Sequence, residues 1–150
     1  MRDTDMLTPQ ETQLLHELGR LVHALPRLLE DDMNRAGDLT MTEFAVLLRL
    51  SEAPEQRLRM AELAGLMGLT PSRITRVVDS LRTRDLVAKN RDPDNFRGII
   101  TTLTTTGLTA MNEAHPHHRA SVRRRVLDHL QADDLSGLTA AIRGINAALA

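Results

Sequence analysis

Residues 60–85 of this chain read MAELAGLMGLTPSRITRVVDSLRTRD. The apolar spacing predicts two short helices, about Met60–Met67 and about Pro71–Arg84, separated by a tight turn that contains Gly68. On the second helix Ile74 and its helical neighbours form an apolar face, while arginines occupy the opposite face. Two short helices in this arrangement are typical of a helix-turn-helix, whose second helix enters the major groove of DNA.

Composition places the chain among folded domains with a core of their own. Of the 150 residues, 41% are hydrophobic and 26% are charged, which suits one domain. The absence of cysteine excludes thiolate–zinc sites and thiol redox sensing. With two phenylalanines and no tryptophan or tyrosine, a base-stacking platform for single-stranded nucleic acid is not expected.

The sequence contains neither an apolar run of membrane-spanning length nor a signal-peptide pattern. We therefore expect a cytoplasmic protein with no membrane partner. Its association with the bacterial nucleoid would follow from DNA binding alone.

Charge is segregated along the chain although the net charge is only −1. Residues 1–34 contain seven acidic residues and three arginines, a balance of −4. Residues 73–97 contain seven basic and four acidic residues, a balance of +3. Because the basic segment coincides with the helix-turn-helix, the distribution favours a nucleic-acid partner where the total does not.

Two predicted strands follow the second helix. Residues 86–89 and the β-branched residues 99–104 have the strand pattern, and the turn-rich residues 90–98 predict a loop between them. A β-hairpin directly after a helix-turn-helix is a wing. The expected fold is therefore mostly α with a small β-hairpin wing.

Longer helices flank this lobe. Thr8, Pro9 and Glu11 predict a helix start with a capping box, Pro26 predicts a kink, and Gly37 predicts the helix end. A helix of about residues 42–52 follows, with Phe44, Val46, Leu47 and Leu50 facing inward. Beyond the wing we expect a long helix over about residues 106–130 and a last helix over about 133–149, capped by Asp133 or Asp134.

The outer helices have apolar stripes with no evident partner within the chain. Such stripes are buried most simply against a second copy, which predicts a homodimer. The residues predicted at that interface are Leu14, Leu18, Val126, Leu130, Leu138, Ile142 and Ile145.

The N-terminal part of the second helix of the helix-turn-helix supplies the predicted DNA contacts. Arg73, with Ser72 and Arg76, is assigned to base edges, because an arginine can contact guanine O6 and N7 together. Thr75 and part of the Arg76 contacts are assigned to phosphates. The competing interpretation is a solvated basic helix face.

The wing adds two arginines to this surface. Arg97 at the predicted tip can enter the minor groove, whose negative potential attracts it, and Arg91 can contact the backbone. An ion pair of Arg97 with Asp92 or Asp94 is the structural alternative.

Several runs together resemble the MarR family of bacterial transcriptional regulators. They are ELA at 62–64, GLT at 68–70, ITRVVDSL at 74–81, DLV at 85–87, DPDNFRG at 92–98 and LTTTG at 103–107. The resemblance implies a homodimeric winged helix that binds a pseudo-palindromic operator in double-stranded DNA. It also implies a repressor that a small aromatic or anionic molecule releases from DNA.

The same resemblance implies one domain over residues 1–150. Dimerisation helices would occupy about 8–36 and 106–150, and the winged helix-turn-helix about 40–105. Three positions depart from the family pattern. Asn95 replaces an aspartate that supports the tip arginine, Phe96 replaces a frequent second arginine, and Asp85 replaces a glycine. Because aspartate tolerates the left-handed conformation better than most residues, the turn at Asp85 is expected to survive.

Histidines raise the question of an effector. Met111, His115 and His118 share a predicted helical stripe, and the resemblance implies an effector pocket near this segment, with Phe44 beside it. The histidines could contact a carboxylate ligand, sense pH or bind metal, or they could be ordinary interface or surface residues. We expect no cofactor and no metal site.

Two other functional classes compete with a DNA-binding regulator. A winged helix can be a protein-interaction module, but a protein-binding surface does not need the arginines at positions 73 and 76. An enzyme is disfavoured because the sequence contains no evident nucleophile–base pair, phosphate-binding glycine loop or metal-ligand spacing.

Overall fold

Six α-helices and a three-stranded antiparallel sheet organise residues 6–149, the part of the chain that this computed structural model describes. The acidic Asp3 and Asp5, and Ala150 after the last helix, lie outside the described residues. The elements are α1 Pro9–Ala36, α2 Met41–Glu52, β1 Arg57–Arg59, α3 Met60–Met67, α4 Pro71–Thr83, β2 Val87–Asp92, β3 Asn95–Leu103, α5 Thr105–Arg125 and α6 Ala132–Ala148.

The start of α1 follows the predicted capping box. The backbone N–H of Glu11 donates to Thr8 Oγ1 at 3.2 Å, and the Thr8 N–H donates to Glu11 Oε2 at 2.7 Å. These two bonds satisfy donors that a helix start otherwise leaves unpaired. The helix ends at Gly37, as the sequence predicts. Pro26 lies inside one continuous helix, and the kink expected there stays a prediction.

Helix α2 lies at the centre of the core. Its inward residues Phe44, Val46, Leu47 and Leu50 are fully buried, which confirms the predicted face. They pack with buried residues of α3 and α4, among them Leu63, Ile74, Val78 and Leu81. The helix-turn-helix is therefore held by apolar burial against α2, which is the dominant favourable term in folding.

The wing is larger than predicted. The sheet has the order β1-β3-β2, and both partners of β3 run antiparallel to it. The loop expected over residues 90–98 is wrong, because β2 extends to Asp92, β3 begins at Asn95, and only Pro93 and Asp94 remain in the turn. Strand β1 was not predicted, since three residues are too few to show an alternating pattern.

The C-terminal helices also differ from expectation. Helix α5 ends at Arg125, earlier than the predicted residue 130, and a 3₁₀ turn at residues 127–129 follows. The predicted cap of α6 at Asp133 or Asp134 is wrong, because the helix begins at Ala132 with Gln131 as its N-cap and both aspartates lie in the first turn. The N–H of Gln131 donates to Asp134 Oδ2 at 3.1 Å. The first half of α5 also has a partner within the chain, because Met111 is buried in the core and Leu108 packs against it.

An ionic cluster joins α1 to the end of α5. The carboxylate of Asp32 accepts hydrogen bonds from Arg125 Nε at 2.7 Å, from Arg124 Nη2 at 3.0 Å and from the Ser121 hydroxyl. These donors hold the pKa of Asp32 well below its usual range, Arg125 contributing most. The cluster ties the two long helices together where α5 ends.

Gly107 marks a close approach between α5 and the start of β2. A Cβ atom at this position would lie 1.9 Å from the carbonyl oxygen of Leu86. That oxygen also accepts the backbone N–H of Thr104 at 3.2 Å, so it is held in place. Only glycine fits this contact.

We expect Gly107→Ala to lower the free energy of unfolding by about 1–3 kcal/mol or more, because overpacking forces the backbone apart. Denaturant unfolding of both proteins measures the difference. Gly65→Ala is the matched control, since a Cβ there meets nothing within 4 Å. The control should be neutral or stabilised by up to about 1 kcal/mol. Equal stability of Gly107→Ala and the native chain would contradict the steric argument.

Candidate nucleic-acid interface

The start of α4 is built by a glycine turn and a threonine cap. Gly68 ends α3 in the left-handed conformation, with φ 61°, and glycine adopts this conformation at no steric cost. Thr70 Oγ1 then accepts the N–H of Arg73 at 3.3 Å, and Pro71 occupies the first helical turn. The Thr70 cap was not predicted, although Thr70-Pro71 has the same Thr-Pro pattern that marks the helix start at Thr8-Pro9.

The predicted reading residues meet on one exposed surface. Ser72, Arg73, Thr75 and Arg76 are all exposed near the N-terminal end of α4, whereas Ile74 faces the core. The Thr75 hydroxyl donates to the carbonyl of Pro71 at 2.8 Å. Because a phosphate oxygen needs a donor, Thr75 can contact phosphate by its side chain only if this bond breaks. The two arginines are therefore the stronger part of the strip.

Two other polar residues of α4 are engaged within the chain. The Ser80 hydroxyl donates to Glu43 Oε1 at 2.8 Å, so its proton is used within the chain although Ser80 lies only four positions after Arg76. Asp79 Oδ1 accepts Lys89 Nζ at 2.8 Å, which ties α4 to β2, and the pKa of Asp79 is lowered chiefly by this bond.

Glu43 is the junction between α2 and the recognition helix α4. Its Oε2 accepts the N–H of Thr40 at 3.0 Å and Arg84 Nη2 at 2.9 Å, while its Oε1 accepts Ser80. Burial opposes ionisation, but the hydrogen bonds from Thr40, Ser80 and Arg84 outweigh it and lower the pKa of Glu43. Sequence reasoning missed this residue. The only local signal was Thr40 three residues earlier, a capping box.

The wing is tied to the lobe by a second buried carboxylate. Asp92 is almost fully buried and accepts Arg59 Nε of β1 and the N–H of Asp94 at 2.9 Å. The pKa of Asp92 is therefore lowered, Arg59 contributing most. The predicted alternative, in which Asp92 pairs with Arg97, is not what the structure shows. Arg59 was missed because its partner lies 33 positions away.

The tip of the wing leaves its arginines exposed. Asn95 Oδ1 accepts the backbone N–H of Arg97 at 3.2 Å, so Asn95 shapes the turn and leaves the Arg97 side chain at the surface. The guanidinium carbon of Arg91 lies 5.8 Å from the centre of the Phe96 ring, which is within cation–π range. Asp85 adopts φ 57°, as expected for the left-handed turn before the wing.

The residues predicted to contact an effector do lie together. The Phe44 ring is 4.5 Å from the His118 ring and 6.1 Å from the His115 ring, centre to centre, and Met111 is buried. Burial, and then the neighbouring His115, lower the pKa of His118. Phe44 thus joins the two histidines in one aromatic group, and Met111 belongs to the same buried core as Phe44.

A cleft of about 430 Å³ opens between α1, the α1–α2 loop and α5. None of the four predicted effector residues lines it, and its histidine is His117. The lining residues are Met33, Ala36, Gly37, Asp38, Leu39, Arg84, Leu86, Ala110, Glu113, Ala114 and His117.

The predicted dimer residues lie on α1 and α6 and in the segment between α5 and α6. Five of them are exposed apolar side chains, from 37% exposed at Leu18 to 65% at Leu14, with Leu138, Ile142 and Ile145 between. Val126 and Leu130 are half-buried after the end of α5. Every residue of α6 is exposed.

Residues 6–149 contain neither a membrane-spanning helix nor a metal-binding group of side chains. None of their helices is both long and apolar enough to cross a bilayer. Within the same residues, no three histidine, aspartate or glutamate side chains are grouped as a metal ion would require.

Comparison with known proteins supplies the family context. A sequence model of the MarR family matches residues 39–99, from the start of α2 into the wing. AbsC, a MarR family transcriptional regulator from Streptomyces coelicolor, is 33% identical; 97% of this chain and 98% of AbsC are covered, with a TM-score of 0.87.

Two further relatives extend this similarity. A MarR family transcriptional regulator from Streptomyces coelicolor, solved in complex with DNA, is 26% identical, with 97% of this chain and 91% of that chain covered and a TM-score of 0.87. The multiple antibiotic resistance protein MarR from Escherichia coli is 26% identical over 125 residues, which are 81% of this chain and 85% of that protein.

The ionised Glu43 should stabilise the fold in a pH-dependent way. Because folding lowers its pKa, the contribution is fully present above the unfolded pKa of about 4.3 and is lost as the pH falls through the lower folded value. We expect Glu43→Gln to cost about 1–3 kcal/mol of unfolding free energy at pH 7. Denaturant unfolding between pH 7 and pH 3 should show this difference shrinking in acid.

Glu113→Gln, which alters an exposed glutamate on α5, is the matched control for the same titration. It should follow the native protein at every pH. A constant difference between Glu43→Gln and the native chain down to pH 3 would contradict the assigned role of the Glu43 carboxylate.

Proposed function

The chain belongs to the MarR family of DNA-binding transcriptional regulators, and from this premise we propose that it represses transcription by binding a pseudo-palindromic operator as a homodimer. The observation that carries the proposal is the exposed arginine pair Arg73 and Arg76 near the N-terminal end of α4. That end of a recognition helix is the part that reaches base edges. A protein-interaction module would not need these cations, and the regulatory function includes no catalytic step.

The roles of the individual residues follow from their surroundings. Arg73 and Arg76, with Ser72, would contact base edges in the major groove. Thr75 would contact the adjacent phosphates after its hydroxyl leaves the Pro71 carbonyl. Arg97 would enter the minor groove from the wing tip, with Arg91 near the backbone. Lys89 and Asp79 join β2 to α4, which supports a constant spacing between helix and wing.

The exposed apolar faces of α1 and α6 support the homodimer. Leu14 and Leu18 on α1, and Leu138, Ile142 and Ile145 on α6, would bury one another across a two-fold axis, with Val126 and Leu130 at the edge. A two-fold dimer presents two recognition helices to two half-sites, so the operator should have matching symmetry. Binding to DNA in this way would place the protein in the cytoplasm, at the nucleoid.

We propose that the effector is a small aromatic anion that occupies the cleft between α1 and α5. Apolar walls at Met33, Leu39 and Leu86 suit an aromatic ring, and Arg84 is the cation best placed for a carboxylate. Arg84 is already bound to Glu43, which also holds Ser80 of α4. A ligand that draws Arg84 away would loosen the recognition helix and change the spacing of the two helices in the dimer.

The DNA-contact assignment is tested on duplexes selected from a random-sequence library. Arg73→Ala should relax base preference at one position by about 1–3 kcal/mol, because a bidentate base contact is lost. Arg97→Ala should weaken all sequences alike and lower the salt dependence by about one ion. Binding isotherms across a salt series measure both effects.

Arg49→Ala is the control for those variants, since Arg49 is an exposed arginine of α2 paired with Glu52. It should bind DNA as the native protein does. The site assignment is wrong if neither Arg73→Ala nor Arg97→Ala alters DNA binding.

The effector proposal is tested by thermal shift with benzoate and hydroxybenzoates, and with benzamide as the neutral analogue. The anions should raise the Tm of the native chain, since binding to the folded state stabilises it, and benzamide should not. Arg84→Gln should abolish the shift, and Arg82→Gln, an exposed arginine one position before the end of α4, should retain it. An equal shift in Arg84→Gln, or unchanged lobe spacing in the presence of an active anion, would overturn the mechanism.

A further inference from the structure

The two phenylalanines of this chain have opposite surroundings. Phe44 is fully buried at the centre of the core, whereas Phe96 on the wing is 85% exposed. A phenylalanine ring contributes its large apolar area only when a partner covers it. Phe96 is therefore the one aromatic side chain among the described residues that is free to contribute this area to a partner.

The charges around Phe96 indicate what kind of partner it meets. Arg91 lies over one face of the ring, and Arg97 is the next residue. Of the nearby acids, Asp92 is neutralised by Arg59, which leaves Asp94 as the acid at the turn. The ring thus lies against one exposed cation and is followed in sequence by a second, so the wing tip is complementary to a polyanion.

A protein partner fits these surroundings poorly. An apolar docking surface on a protein is a contiguous patch, and the residues around Phe96 from 91 to 97 are otherwise polar, charged or proline. A single exposed aromatic ring on a tip that also presents Arg91 and Arg97 suits a narrow groove with negatively charged walls. The minor groove of DNA has such walls, and apolar side chains inserted there wedge between base steps.

We propose that Phe96 is an apolar wedge that enters the DNA minor groove at the wing tip and confers preference for an easily deformed base step. The inference rests on the proposed operator binding and deepens it. A ring has no hydrogen bond to offer a base edge, so its selectivity must come from the cost of opening the step. That cost is lowest at pyrimidine–purine steps such as TA and CA.

Adjacent residues at the wing tip then have different roles in DNA binding. Arg97 supplies attraction that depends on salt and little on sequence, because its charge meets phosphates and the groove potential. Phe96 supplies sequence preference that depends little on salt, because it releases no counterion. The recognition helix reads its own bases independently of both.

Selection from a random-sequence duplex library is the primary experiment, with the native chain, Phe96→Ser and Phe96→Leu as the three arms. Native protein should enrich pyrimidine–purine steps at a constant distance from the bases read by α4. Phe96→Ser should lose that enrichment by about tenfold while retaining the α4 bases. Phe96→Leu should keep most of it, since leucine is also an effective wedge.

Two measurements on the selected duplex complete the test. Native protein and Phe96→Leu should bend the duplex more than Phe96→Ser does in a circular-permutation assay. The slope of log affinity against log salt should be equal in Phe96→Ser and the native chain, whereas Arg97→Ala lowers it by about one. Because Phe96 is exposed, Phe96→Ser should retain the native Tm.

The outcomes distinguish this inference from the proposed function. If native protein selects no sequence at all, operator binding itself fails. If native protein selects a symmetric site and Phe96→Ser selects the same site with equal affinity, only the wedge is overturned. A uniform loss of affinity with unchanged base preference also overturns it, because the ring would then be packing on the sugar–phosphate backbone alone.

Discussion

The orientation of the recognition helix α4 depends on the hydrogen bonds that the buried carboxylate of Glu43 accepts. It accepts hydrogen bonds from the cap of its own helix, from Ser80 within α4 and from Arg84 just after α4. Apolar burial brings α2 and α4 together but is not directional. A carboxylate that accepts from three directions fixes how one helix is rotated on the other, because breaking any one bond leaves a buried charge underpaired.

The wing repeats this arrangement with different residues. Asp92 is buried beneath the turn and joins β2 to Arg59 of β1, so the hairpin is attached to the lobe by a short third strand. Satisfying Asp92 internally has a consequence for the surface. It leaves Arg97 without that carboxylate, and it leaves the tip with Arg91, Phe96 and Arg97 exposed together.

The proposed coupling between a ligand in the cleft and DNA would follow a short path of contacts. The cleft beside α5 shares Arg84 with the Glu43 junction, and Glu43 is bonded to Ser80 of the recognition helix. A ligand in the cleft would compete for a bond that already orients α4, so no long chain of contacts is needed. The apolar faces of α1 and α6, exposed in one chain, would make such a change visible as altered spacing between two copies.

Local features were predictable from sequence because their partners lie within a few residues. The Thr8 capping box, the end of α1 at Gly37, the inward face of α2 and the left-handed Asp85 all follow from short-range spacing or backbone preference. The positions of α3 and α4 were predictable for the same reason. The pairing of β1 with β3 was not predictable, since the three residues of β1 form a strand only through their hydrogen bonds to β3.

What the sequence by itself determined is the order of the six helices and of the two longer strands, the inward faces of α2 and α4, and the segment on which arginines gather. What only the tertiary structure decided is which polar side chains bind one another within the chain: Ser80 binds Glu43, Asp92 binds Arg59, and Asp32 binds Arg125. The physical reason is separation along the chain. Each of these pairs is at least 33 positions apart, so hydrophobic periodicity carries no information about them, and they form only when packing brings the helices and strands together.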